Sequence, residues 1–565
     1  MTADLAREAA RLADPSPAGG AFRAAADPRG VAELLRRNKV PLLELGGIPQ
    51  VSSWRMALER ERAEAGALRA ELIPVIEAFA SAGIEPVLFK SPGGLPYRSS
   101  NVDLLVRPAR MGEAAFLLER EGHMAMPHYR ERHKMLFRLF REGRPALCVH
   151  LHDAVSWGRV LVLPGDEVAD RCRPSPGEPF LVASWRDLAL ITLAHSLYET
   201  DQVRLSDLRN LRLCAAAQGF DWEEAEAKAV QGAWGIGFHS ILLIASAVER
   251  SLYGHASAPQ ALLARAAAEV DRRRWARGRV RRVASEAARG PVALPYPVSR
   301  VYSKVHYLVR LATEPSRSPD ERAVDVAATA WNLAANRWGL RCRPAAVITL
   351  SGLDGSGKSS AMALLKEAAD LCEIPSRVVW SRGGFTPWMR AVKRAARAAS
   401  AGRVPGPEET ARKLRWLARP LPAALYAALV VAEQSAHTVL RVRAPRMLGW
   451  TILCDRSSLD AAAELLARLP GVPGRWGARM LLRGGPRTDA AIVLRLAAAT
   501  AAERKPEESD REDLSRRAAA LDRLAEEAGA AVIDASRPLD AVAADVVERG
   551  LRAILGRFRR GGEAG

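Results

Sequence analysis

Residues 345–365, AAVITLSGLDGSGKSSAMALL, decide how this chain is read. An apolar run rich in β-branched residues leads into Gly352-Leu353-Asp354-Gly355-Ser356-Gly357-Lys358-Ser359, and the residues after Ser360 are apolar at helical spacing. The segment fits G-x-x-x-x-G-K-[ST] between a strand and a helix, which is the context in which such a loop holds phosphate. Glycines let successive backbone N–H groups turn inward around an anion, and the helix N-terminus adds partial positive charge. Lys358 is then placed to span β- and γ-phosphates and Ser359 to ligate Mg²⁺. Gly352, Asp354, Gly355, Ser356, Gly357 and Ser360 complete the expected cradle, with ATP and Mg²⁺ as the expected cofactors.

Outward from this loop the pattern alternates strand and helix. AAVITLSG, SRVVWSR, GWTILCDR, AAIVLRL and AAVIDAS read as five strands separated by helices, the signature of a parallel α/β sheet over residues 345–557. The loop resembles that of the thymidylate kinase family, whose first strand runs into E-G-x-D-G-x-G-K-[ST]. GWTILCDR also resembles that family's strand ending in Asp-Arg, and Pro486, Asp489 and Arg504-Lys505 resemble the pattern that opens its lid. The resemblance implies a P-loop NTPase fold, Asp455 near Mg²⁺, Arg456 on the acceptor phosphate and a catalytic lid Arg504. The acceptor side departs from the family. Ser457, Ser458 and Leu459 follow Asp-Arg where an aromatic residue is common, Arg495 stands where related kinases carry Asp, and Ser381-Arg382-Gly383-Gly384 replaces a longer motif.

The amino-terminal half has a different rhythm. Residues 1–54 read as a helical extension, followed by an α+β unit over 55–184. That unit comprises a helix from about Ser53 to Ala82, the strands IEPVLFK and NVDLLVRP, a helix over Met111 to Glu121 and the strand ALCVHLHDAV. Residues 185–289 read as helical, and GPVALPYPVSR opens a linker with bridging helices over 290–344. The segment VLFKSPGGLPYRSSNVDLLV with the later VHLHDAV, Trp185-Arg186-Asp187-Leu188 and Asp221-Trp222 resembles the nucleotidyltransferase family related to polymerase beta. Transfer by that fold needs three carboxylates around two Mg²⁺. Here the first carboxylate position reads Asn101-Val102-Asp103 and the later strand offers His150, so Asp103 alone is a weak metal ligand. Strand parity sets Asp153 on the face opposite His150 and His152. A degenerate transferase unit is the expectation.

Composition bounds the partners. Lys+Arg 83 against Asp+Glu 64 gives +19, and only ten of the basic residues are Lys. Arg forks suit phosphate, yet most are scattered through Ala-rich helices beside Glu and Asp, as solvated faces are. No nucleic-acid partner is expected, and Arg390 to Arg419 is where a polyanion would bind if one did. The six Cys are widely spaced with no metal pattern, which fits reduced thiols. The first residues lack a signal-peptide core, and no run of 18 apolar residues occurs. Leu421 to Ala432 reads as a buried helix and residues 558–565 as a disordered tail, in a cytoplasmic protein. The leading function is ATP-dependent phosphoryl transfer to a small acceptor such as a nucleoside monophosphate. Beside it stand an ATP-binding switch or scaffold without efficient turnover and an active nucleotidyltransferase on a small molecule or RNA.

Overall fold

In the computed structural model of the protein, which describes residues 3–15, 27–45, 54–93, 101–126, 133–315, 317–337, 345–380, 417–469, 471–505 and 511–562, the chain divides into two units. One comprises residues 1–139 and 146–333, the other residues 334–565 with 140–145. The segment Ser381-Arg382-Gly383-Gly384, most of the basic stretch 390–419 and Cys342 lie outside the described residues.

The amino-terminal unit is built on strands β1 (Val87–Leu88), β2 (Val102–Leu105), β3 (Met124–Met126), β4 (Lys134–Arg141) and β5 (Arg144–His152). Next come β6 (Ala154–Trp157), β7 (Val160–Pro164), β8 (Arg173–Pro174) and β9 (Leu181–Val182). Seven of these form one mixed sheet in the order β3-β4-β5-β2-β1-β9-β8, and β6 pairs with β7. Every residue of β2 is buried, because both faces of this central strand are covered. Val102 and Leu104 pack with Leu72, Ile76 and Phe79 of helix Arg55–Ser81, while Leu105 on the other face joins the core of the helical part.

That second core centres on helix Trp185–Tyr198, apolar on nearly all sides and therefore enclosed. Ser184 caps it by accepting from the Asp187 N–H at 3.2 Å. The expected helical extension is part of the same core: Ala9 and Ala10 of helix Ala3–Ala13 and Leu35 of helix Pro28–Arg37 are fully buried in it. The helical run over 185–289 is interrupted by β10 (Gln202–Val203), which pairs antiparallel with β11 (Tyr296–Pro297).

The second unit carries β12 (Val347–Gly352), β13 (Ser376–Trp380), β14 (Thr451–Asp455), β15 (Ala490–Arg495) and β16 (Ala531–Asp534). All pair parallel, in the order β13-β14-β12-β15-β16. The strand before the glycine loop is thus central, and the register Leu350↔Asp455 sets the carboxyl ends of β12 and β14 side by side. Ligands of open α/β sheets bind at that edge.

Two readings of this unit are corrected. The apolar helix around Leu421 to Ala432 runs from Pro420 to His437 but is not buried: Leu421 is 70% exposed and Leu425 56%, and only the face with Ala423, Ala427 and Val430 packs inward. Its apolar residues cover more of the circumference than its contact with helix Val472–Gly484 can hide. Together with the turn that follows it, Pro420–Met447 is the one helix among the described residues long and apolar enough to cross a membrane. Further on, helix Leu539–Gly562 continues through 558–562, which composition alone assigned to a tail.

Candidate functional site

The loop after β12 takes its shape from backbone positions that side chains resist. Gly352, Gly355 and Gly357 have φ of +151°, +87° and +84°. At Gly352 a Cβ would sit 2.7 Å from the Leu494 carbonyl oxygen. Helix Lys358–Leu371 starts directly from this loop, so its N-terminal N–H groups open into the loop. Lys358 Nζ donates to the carbonyls of Gly352 at 2.9 Å and Leu353 at 2.6 Å, and burial pulls its pKa below the ordinary value. Ser356 Oγ is buried with no hydrogen-bond partner among the described residues, and Ser360 is exposed on the first helical turn.

Three elements bring further sequence-selected residues here. From the end of β14, Asp455 Oδ2 accepts from Ser359 Oγ at 3.0 Å across 96 residues of chain. Arg456, in the left-handed region at φ +75°, pairs with Asp354, and Lys358 Nζ stands 3.7 Å from the same carboxylate. From helix Ala498–Arg504, Arg504 Nη1 donates to the Gly355 carbonyl at 3.3 Å and the Ala535 carbonyl at 3.2 Å. Other selected residues lie elsewhere. Asp489 pins the opposite end of the sheet, where its Oδ2 accepts from the Val347 N–H at 2.9 Å. Arg495 pairs with Asp522 at 2.8 Å.

Two participants escaped the sequence reading. Asp460 Oδ1 accepts from the Gly352 N–H at 3.1 Å and Oδ2 from the Ser457 N–H at 2.8 Å, tying the glycine loop to helix Ser458–Arg468. A signal existed in Ser457-x-x-Asp460, a capping-box spacing. Arg517 of helix Arg511–Glu527 reaches within 4.0 Å of Asp354, and no motif marks it. Ser359 with Asp455 is an oxygen-donor pair of the kind that holds Mg²⁺, so the residues fit that ion.

The amino-terminal unit gathers a second polar cluster. β2 and β5 run parallel with Asp103 opposite His150, and His152 shares the face of His150 by strand parity. Asp103 Oδ1 accepts from His150 Nδ1 and His152 Nε2, each at 3.2 Å, and from Lys90 Nζ at 2.9 Å. Asp153 turns away to His133 at 2.8 Å. Lys90 also reaches Glu199 Oε2 at 3.4 Å, which takes hydrogen bonds from Trp157 Nε1 at 2.6 Å and lies 3.3 Å from His195. Asp103, Lys90 and His195 line a cavity of about 110 Å³ that Lys39 and Arg204 also enter.

Electrostatics in this cluster follow from burial. It pushes His150 down and both His152 and His195 to about 4, so the three rings are neutral at neutral pH. Burial opposes the charges of Lys90 and Asp103 as well. Each nevertheless keeps its charge, because the partner and the surrounding donors and acceptors outweigh the desolvation. Burial also depresses Lys39, and the neighbouring Arg204 adds to the effect.

Two Mg²⁺ ions do not fit here: one carboxylate, already held by an ammonium and two imidazoles, cannot offset their mutual repulsion. No curated protein matches the chain. Residues 21–248, less than half of it, match the family model described as an uncharacterised nucleotidyltransferase, so the amino-terminal part is nucleotidyltransferase-like.

Proposed function

We propose that the carboxy-terminal unit is a P-loop kinase resembling thymidylate kinase. It would bind ATP with Mg²⁺ and pass the γ-phosphoryl group to a small acceptor, with a nucleoside monophosphate as the first candidate. The observation that carries this is Ser359 Oγ at 3.0 Å from Asp455 Oδ2, directly after the glycine loop, at the sheet edge where such ligands bind.

In this reading the acceptor oxygen attacks the γ-phosphorus, the bond to the β,γ-bridging oxygen breaks, ADP leaves and the acceptor's proton is released. When bound, Mg²⁺ would neutralise phosphate charge from Ser359 and Asp455. Lys358 exchanges its carbonyl partners for β- and γ-phosphate oxygens, and the loop N–H groups orient the chain of phosphates. Arg456 holds the acceptor's anionic group and Arg504 closes over the transferring phosphoryl. Ser457 in place of an aromatic residue removes a stacking surface, so thymidylate is not expected to be exclusive. Cysteines at five described positions, four of them buried, fit a reducing, cytoplasmic setting.

Acceptor-stimulated ADP release, screened over nucleoside monophosphates, nucleosides and sugars, tests the reading. Binding of ATP with only slow, acceptor-independent hydrolysis would instead favour a nucleotide switch. The family match favours a second activity, nucleotidyl transfer by the amino-terminal unit. Label transferred from an α-labelled NTP, and lost in Asp103→Asn, would establish it; the single carboxylate leads us to expect none.

A further inference from the structure

We propose that Asp103, His150 and His152 form a site for one divalent transition-metal ion of the zinc class, where the fold's relatives would hold two Mg²⁺. One ligand atom from each of the three residues lies within 4.8 Å of the others. A tetrahedral ion with bonds of about 2.0–2.2 Å needs donors roughly 3.3 Å apart. Both Asp–His separations are 3.2 Å, and the rings would draw together within the 4.8 Å bound on the set to complete the site.

Chemistry selects the ion. Mg²⁺ demands oxygen donors and resists losing its waters, whereas imidazole suits Zn²⁺, Fe²⁺, Co²⁺ and Ni²⁺. Replacing carboxylates by histidines therefore changes which ion the site prefers and leaves a site that can still hold one. The three ligands stand on adjacent strands in fixed register, His150 directly opposite Asp103 and His152 two residues on, so little ordering remains to be done on binding. Asp103 also lines the cavity, so the ion would sit at its wall.

Two costs must be met. Each ring moves a proton to its other nitrogen, and for His152 that is the buried Nδ1, which has no hydrogen-bond partner among the described residues. Lys90 must leave Asp103. The protein provides a second position for its ammonium, because Glu199 Oε2 already lies 3.4 Å from Nζ. Lys90 is thus the ion's competitor for one oxygen atom, and this gives the proposal an unusual handle: removing a cation from the site should tighten metal binding.

The test uses full-length protein stripped with a chelator and titrated with Co²⁺ without nucleotide, followed by its visible d–d bands. The expected result is one Co²⁺ per chain, displaced by Zn²⁺ but not by a hundredfold excess of Mg²⁺. Asp103→Asn and His150→Gln should each weaken binding at least tenfold, and Lys90→Met should tighten it several-fold. Absence of a Co²⁺ spectrum in wild type, displacement by equimolar Mg²⁺, or a Lys90→Met protein that binds no better than wild type would overturn the proposal. The last readout stands even if the Asp103 variant does not fold.

Discussion

Lys358 is the residue on which the proposed kinase reading makes its sharpest demand. A buried ammonium resting on two backbone carbonyls, with Asp354 at 3.7 Å, would in the proposed kinase exchange those acceptors for phosphate. Lys358→Ala should lower acceptor-dependent turnover by at least about 100-fold, the scale of losing one transition-state donor, while thermal stability changes little. A folded variant with wild-type turnover would remove Lys358 from the chemistry. Arg456→Ala has a different expected signature, a raised acceptor KM or reduced kcat with ATP affinity nearly unchanged. Comparable loss of ATP affinity would make Arg456 a structural partner of Asp354. Gly352 tests the loop itself. Alanine there meets both φ +151° and the Leu494 carbonyl at 2.7 Å, a strain of roughly 1–3 kcal/mol. Gly352→Ala should lower the melting temperature and abolish ATP binding together; retained ATP affinity would show that the loop's shape does not set the phosphate site.

At the scale of elements, the site depends on how β12, β14 and helix Ser458–Arg468 meet. Asp460 is the joint, since one carboxylate both caps that helix and holds the first N–H of the glycine loop. Asp460→Ala should destabilise by about 1 kcal/mol, as cap losses do, and weaken ATP binding as well. Asp460→Asn keeps one acceptor and should fall between wild type and alanine in both measurements; an alanine variant with native ATP affinity would confine Asp460 to capping. This joint explains what was and was not legible in the sequence. All five parallel strands were readable, because each is a short β-branched run between helices. The glycine loop was readable because its positive-φ positions call for glycine at fixed spacing. The sheet order was not, and neither was the meeting of Arg517 with Asp354, since contacts between distant helices leave no local period. In the other unit, parity correctly separated Asp153 from His150 and His152, yet Lys90 went unremarked. Its role arises only when a neighbouring strand sets Asp103 beside it. The exposed face of helix Pro420–His437 was misread for a related reason: apolar content says what can be buried, and only the packing partner says how much is.

Across the whole molecule, buried titratable groups are unevenly shared. His152 and His195, both at about 4, and His306, pressed to about 3 among Trp275 and Tyr302, all belong to the amino-terminal unit. In the other, half-buried His437 is the one imidazole and is lowered by burial. A histidine with a depressed folded pKa stays neutral in the native state while its unfolded counterpart takes up a proton below about pH 6.5. Its effect is therefore a loss of stability as pH falls from about 6.5 towards the folded value. Glu249 works the other way: burial raises it to about 7, so it is protonated when folded and releases that proton on unfolding above its ordinary value. Below about pH 6.5, His150, His152, His195 and His306 all favour proton uptake on unfolding, whereas Glu249 and Asp207, both raised by burial, oppose it. The balance is a net uptake of protons on unfolding, so stability falls on acidification. The expected outcome is that amide hydrogen exchange, corrected for its intrinsic pH dependence, shows protection falling in the amino-terminal unit between pH 7 and pH 5. Protection in the parallel-sheet unit should change far less. His306→Phe should reduce the pH slope of the amino-terminal unit, since it removes one of the protons taken up on unfolding. Equal loss of protection in both units, or a slope unchanged in His306→Phe, would show that these imidazoles do not govern the acid response.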